Sequence, residues 1–283
     1  MPSDQAKLTP LPHPGLADYH CHCGFSADAA GAIDEYCEAA IQRGLAELCF
    51  VTHYDSSPHS RHVDTLIRIN GRDERVNCDN LALYVDAVRQ AHEKYYPAGL
   101  SVKLGIEISW WDGCADDVVE LRRRYEFDHV LCGLHELDGR RFVSPRFGEN
   151  FEGWSAAEFV ERYYSESVKA ARTGLFDAMA HLAYYLRFGV GHYGDGIYTA
   201  HRPFVEELFT ALRESETALE INTAAIRHGF HHYYPPMDII NAAGKAGVAV
   251  RFLGSDAHRP EQVGFDFEAA AALIPDTIAW CDD

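Results

Sequence analysis

The chain lacks several features, and each absence narrows the reading. It has no run of about twenty apolar residues, which argues against a membrane-spanning helix. Its start, Met1–Pro14, is polar and proline-rich, without the basic opening and apolar run of a secretory signal. We read that stretch as a loose leader and expect a cytoplasmic location. The eight cysteines (21, 23, 37, 49, 78, 114, 132 and 281) form no CxxC pair, and a chain of 283 residues needs no disulfide staples, so reduced and mostly buried thiols are expected. Cationic clusters are missing: the formal net charge is −18, with 25 Lys and Arg against 43 Asp and Glu. Such a surface repels nucleic-acid backbones and anionic membranes, so neither is an expected partner. There is no internal repeat, low-complexity tract or linker, and residues 1–283 read as a single domain. Oligomerisation is left open.

The chain does contain alternation. Seven short β-branched and apolar runs end in polar residues: Leu16–His22, Glu47–His53, Ser101–Ser109, His129–Leu137, Phe176–Leu182, Ala218–Thr223 and Val248–Ser255. Between them lie segments with helical spacing, at Ala32–Arg43, Asn80–Tyr95, Ser155–Thr173, Pro203–Glu214 and Pro236–Ala246. Ser155 with Glu158 has the form of a capping box, and Pro203 suits a first helical turn. Gly44, Gly174 and Gly247 stand where helices should stop. Strand–helix alternation of this kind means parallel strands with helical crossovers, as a barrel or an open sheet. Two longer stretches, 54–78 and 189–202, read as loops following strand ends, where the active-site loops of a barrel belong.

The sixteen histidines are informative because of where they fall. The first strand ends His20-Cys-His22 and the second at His53. The third carries Glu107, the fourth His135 and the fifth His181. The sixth ends near Asn222, and the seventh runs into Gly254-Ser-Asp256-Ala-His258. In a parallel barrel all these ends meet at one mouth. Side chains alternate along a strand, so His20 and His22 share a side, and Asp256 with His258 would too if that strand stays extended. Imidazole and carboxylate together suit zinc, manganese or iron. A carboxylate can bridge two cations and a neutral imidazole cannot, which makes Glu107 and Asp256 the candidate bridges. Two or more such ions can hold a hydroxide, polarise a phosphoryl oxygen and stabilise the leaving oxygen.

Asp18-Tyr-His20-Cys-His22, Val51-Thr-His53, Gly105-Ile-Glu107, Gly133-Leu-His135, Ala180-His181 and Gly254-Ser-Asp256-Ala-His258 together resemble the motifs of the polymerase and histidinol phosphatase family, in family order from residue 18 to 264. The resemblance implies a distorted seven-stranded (β/α)7 TIM-like barrel with two to three divalent metal ions. It implies one ion on His20, His22, Glu107 and Asp256. A second would share Glu107 with His135 and His181, and a third would sit on Asp28, His53 and His258. Glu220-Ile-Asn222-Thr-Ala-Ala-Ile-Arg227, Tyr234-Pro235 and His258-Arg-Pro260-Glu-Gln-Val-Gly264 resemble the histidinol-phosphatase branch. That branch implies a small phosphorylated substrate, histidinol phosphate first, with metal-bound hydroxide attacking phosphorus and Glu107, Asp256 and His258 in the catalytic centre. Arg187 and Arg227 would bind the phosphate, since a guanidinium pairs with its oxygens. The chain departs from the pattern at Ala180, where Gly is common, at Gly133-Leu in place of Ser-Val, and in the length of the 189–202 stretch.

Two other classes compete. An amidohydrolase-like enzyme also uses an HxH pair but bridges its metals with a carboxylated lysine. Lys103 has the facing parity of Glu107 but lies one repeat further down the strand. A non-catalytic metal-binding domain would be favoured by lost ligands, and no ligand position is missing. Cys21 and Cys23 should face away from the histidines into packing. Trp110-Trp111 could stack on a substrate ring or pack under a loop. His228, His231 and His232 lie near Arg227 and are candidates for substrate contact or for protonating a leaving group.

Overall fold

Seven strands form one parallel sheet: β1 (Ala17–Cys21), β2 (Glu47–Tyr54), β3 (Ser101–Ser109), β4 (His129–Gly133), β5 (Ala178–Met179), β6 (Ala218–Asn222) and β7 (Val250–Gly254). Their order in the sheet is their order in the chain. β7 returns to β1 through a parallel bridge between Cys21 and Ala257, with His22 N–H donating to the Ala257 carbonyl at 2.8 Å. The sheet is therefore a nearly closed α/β barrel, the architecture expected from the alternation. The structure is a computed structural model and describes residues 15–60, 62–143 and 151–272. The leader at 1–14 and Cys281 lie outside the described residues.

The helices are α1 (Ile33–Arg43), α2 (Ala82–Tyr95), α3 (Ala115–Tyr125), α4 (Ala156–Arg172), α5 (Leu186–Tyr193), α6 (Val205–Glu214), α7 (Ala224–Arg227), α8 (Met237–Lys245) and α9 (Phe267–Ala272). The Ser155–Glu158 capping box closes the start of α4, and Gly44 ends α1 in the left-handed region at φ 76°. Pro203 does not enter a first turn, because α6 begins at Val205. The main core packs the helices against the strands' outer face. A second, separate cluster is made of Cys49, Val51, Leu131, Ala178, Ala180 and Ala218, with Tyr19 and Phe252 packed against it.

Five strands end earlier than the apolar runs suggest, β1 and β6 by a single residue and three with a change of path. β4 stops at Gly133, and Glu136–Leu137 folds back on Arg140–Arg141 as a short hairpin. The chain after β5 turns through positive φ at His181 (29°) and Ala183 (70°). β7 stops at Gly254, and Asp256 takes φ 51°, so the extended path expected from Asp256 to His258 does not occur. Competition for backbone groups explains this last case. The Ser255 N–H donates to Asp18 (3.0 Å) and the Ser255 and Asp256 carbonyls accept from Arg227, so side chains replace a strand neighbour. The stretches read as loops also carry structure. Residues 54–78 hold a turn at Val63–Thr65 and an antiparallel ribbon, Leu66–Ile69 with Arg72–Arg75. Residues 189–202 complete α5 and add a turn at Asp195–Thr199.

Candidate metal centre at the barrel mouth

The C-terminal strand ends surround a cavity of about 430 Å³. His20 and His22 reach it from β1 with their Nε2 atoms 3.0 Å apart. His20 Nδ1 is 2.7 Å from Glu220 and His22 Nδ1 is 3.2 Å from Ser26 Oγ. With the Nδ1 protons turned outward to these acceptors, both Nε2 lone pairs face inward. Two lone pairs aimed at one point repel each other unless a cation lies between them.

The surrounding distances fit that reading. Glu107 Oε2 is 3.7 Å from His20 Nε2 and 3.5 Å from His22 Nε2; Asp256 Oδ1 is 3.6 and 3.5 Å from the same atoms. Ligands about 2.1 Å from a tetrahedral ion lie about 3.4 Å from one another, the scale seen here. The other oxygen of Glu107 serves a second group. Oε1 is 2.8 Å from His181 Nε2 and 3.4 Å from His135 Nε2, and those two nitrogens are 3.5 Å apart. One carboxylate thus faces two histidine pairs, one through each oxygen. A third group forms at the rim, where Asp28 Oδ2 is 3.6 Å from His53 Nε2 and 3.3 Å from His258 Nε2. His53 Nδ1 lies 2.9 Å from Glu107 Oε2 but out of line for a hydrogen bond. Neither nitrogen of the buried His53, nor Glu107 Oε2, has a hydrogen-bond partner among the described residues. Buried polar atoms left in this state are costly, and ions at this site would satisfy them.

Electrostatics bind the cluster together. Burial disfavours a charged His20, but Glu220, Glu107 and Asp256 outweigh it and hold the pKa well above the ordinary histidine value. His135 is pushed up to about 9: burial opposes the charge, and Glu107 and Asp64 overcome it. Burial would raise Glu107, yet His20 and His135 hold it well below the usual carboxylate range. Burial lowers His22 to about 3, helped by His53 and His258.

The remaining candidates divide. Arg187 lines the cavity and has no carboxylate partner among the described residues; one N–H meets Tyr184 Oη. Arg227 also lines it, but two of its N–H groups hold the Ser255 and Asp256 carbonyls, so it braces the loop that carries Asp256. His228 lines the cavity, whereas His231 and His232 do not. Burial and then Arg187 lower His228 to about 4, which leaves it neutral at neutral pH and poorly suited to donate a proton. Lys103 pairs with Glu47 at 3.3 Å at the opposite end of the strands, so it is not a bridge. Cys21 and Cys23 are buried in the core. Trp110 donates to Glu166 and Trp111 to Ser56, and neither borders the cavity. The side chain of Asn222 donates to Glu220 and accepts from Ala224 N–H, so it binds the framework.

Residues absent from the sequence reading also meet here. Asp64, from the 54–78 excursion, is buried 3.2 Å from His135 Nδ1 and pairs with Arg141 of the 136–141 hairpin. Both line the cavity, with His62, Val143, Tyr184 and Gln262. Asp64 and His62 sit at no strand end, so nothing in the periodicity pointed to them.

Parallel strands with a buried histidine–carboxylate cluster at their C-terminal ends define an α/β barrel whose mouth could hold metal ions. Residues 18–224 match the PHP domain, and the chain belongs to that family, as a relative of histidinol-phosphatases. A "Probable histidinol-phosphatase" of Deinococcus radiodurans is 32% identical over 263 residues, covering 93% of this chain and 94% of the relative. One of Thermotoga maritima is 30% identical, covering 89% and 88%. The crystal structure of histidinol phosphate phosphatase from Lactococcus lactis, complexed with zinc, L-histidinol and phosphate, shares the fold at a TM-score of 0.76 and 21% identity, over 94% of each chain.

Proposed function

We propose that the protein is a metal-dependent phosphomonoesterase acting on histidinol phosphate. The observation that carries this is Glu107, whose two oxygens each face a separate pair of histidine nitrogens within 3.7 Å. His20, His22, Glu107 and Asp256 would hold one ion; Glu107, His135 and His181 a second; Asp28, His53 and His258 a third. Bound there, divalent zinc, manganese or iron supplies an activated water and neutralises charge on the phosphoryl oxygens.

The chain's own residues do the rest. Glu107, Asp256 and His258 surround the reacting atoms and hold the charged centres in register. His258 Nδ1 lies 3.4 Å from Asp256 Oδ1, linking the rim group to the inner one. Arg187 presents N–H donors to the phosphate, and Arg227 contributes charge while it anchors Asp256. The names of the relatives support the substrate. The cavity's mix of cationic walls and carboxylates suits a dianionic ester whose alcohol carries an amine. The test is a panel of phosphate esters offered to metal-reconstituted protein. Histidinol phosphate should be the fastest, and a phosphodiester outrunning every monoester would defeat the assignment.

A further inference from the structure

Beneath the cluster lies a carboxylate that this site does not need as a ligand. Glu220 on β6 is fully buried, and its two oxygens do different things. Oε1 is 2.7 Å from His20 Nδ1. Oε2 accepts the backbone N–H of His181 at 2.6 Å and the Asn222 Nδ2 at 3.2 Å. The orientation of the Asn222 amide follows from its other end, where Oδ1 accepts from Ala224 N–H at 3.0 Å. Both ends of Glu220 therefore meet donors once His20 carries its proton on Nδ1. Only a carboxylate can accept at both ends; a glutamine must present an NH2 to one of these donors. The fold makes room for this group. A Cβ on Gly254 would overlap Glu220 Oε1 and come within 2.7 Å of His20 Cβ, so glycine there lets the carboxylate pass under β7.

We propose that Glu220 is a positioning residue for both inner metal sites at once. It fixes the His20 ring with Nε2 turned inward, and it fixes the backbone of His181, which stands at the unfavourable φ of 29°. One side chain thereby sets a ligand of each ion and adds negative charge under both. A carboxylate behind a ligating histidine raises the ring's basicity and orients it, and losing it weakens metal binding by about 10–100-fold. This inference rests on the metal reading of the cluster.

The test is zinc binding by chelator-stripped wild type, Glu220→Gln and Glu220→Asp, using zinc alone against a competing indicator, with the visible spectrum of the cobalt-substituted forms. The Gln variant should bind zinc about 10–100-fold more weakly and show an altered cobalt spectrum. The Asp variant keeps charge and two acceptors on a shorter stem and should lie between. If Glu220→Gln prevents folding, Glu220→Asp carries the same comparison. Wild-type zinc affinity and an unchanged cobalt spectrum in a folded variant overturn the role given to Glu220. Wild type that binds no zinc overturns the metal reading itself, and this inference with it.

Discussion

Glu107→Gln is nearly isosteric, so its effect isolates the charge. In the native site Oε2 faces His20, His22 and His53, and Oε1 faces His135 and His181, all within 3.7 Å. Glutamine keeps one oxygen for one group. It turns an NH2 toward the other, where hydrogens would point at a cation instead of a lone pair. Removing one partner from a buried, paired charge costs about 3–5 kcal/mol. At about 1.4 kcal/mol per tenfold change, that is roughly two to more than three orders of magnitude in affinity for the ion that loses its anionic oxygen. We expect the dialysed variant to hold fewer metal ions than wild type, and turnover of a phosphomonoester to fall at least about 100-fold. The assays are elemental analysis after dialysis and initial rates with metal added back. Metal content equal to wild type, with rates within about threefold, would refute the bridging role.

Other perturbations separate the parts of the site. Arg187→Ala should raise the KM of a phosphate ester and weaken inhibition by inorganic phosphate by about tenfold or more while bound metal stays unchanged, because that guanidinium holds no ligand loop. Arg227→Ala should lose phosphate affinity and metal together, because it also braces Ser255 and Asp256; elemental analysis beside inhibition curves distinguishes the two arginines. Gly133→Ala should deplete the Glu107–His135–His181 group without unfolding the barrel, since its Cβ would lie 2.6 Å from Glu107 Oε1 and 2.8 Å from His135 Nε2; metal content and circular dichroism report the two effects. Filling the site should release protons. His20 and His135, whose carboxylate neighbours raise their pKa values, would give up protons to the ions, so calorimetric zinc titrations in buffers of different ionisation enthalpy should diverge, and affinity should fall as pH drops below about 9.

The strand pattern is readable because each strand of a parallel barrel is an apolar run ending in polar residues, and all seven are locatable. Helix α3 falls outside the periodic segments although its signals are present: Asp116 and Asp117 at its start, Arg122–Arg124 at its end, and Val118, Leu121 and Tyr125 on its buried face. The ribbon at 66–75 has a marker too, Asn70-Gly71, which forms the two-residue turn with φ of 50° and 75°. Strand ends are less legible, because they depend on distant side chains: Asp18 and Arg227 take the backbone groups that would have extended β7. The histidines and carboxylates that converge at the mouth are visible as strand-end residues. Asp64 and Arg141 are not, because an excursion and a hairpin carry them in from outside the strand pattern. Glu220 stands in plain view on β6, but only the structure shows it passing under Gly254 to reach His20.

If a metal cluster at this mouth drives phosphomonoester hydrolysis, activity must follow the metal. The most direct test is to strip the protein with a chelator, return zinc, manganese or iron in measured equivalents, and follow phosphate release from histidinol phosphate. The stripped protein should be inactive, and activity should return and saturate at about two to three equivalents. Full activity in protein shown by elemental analysis to be metal-free would contradict that dependence.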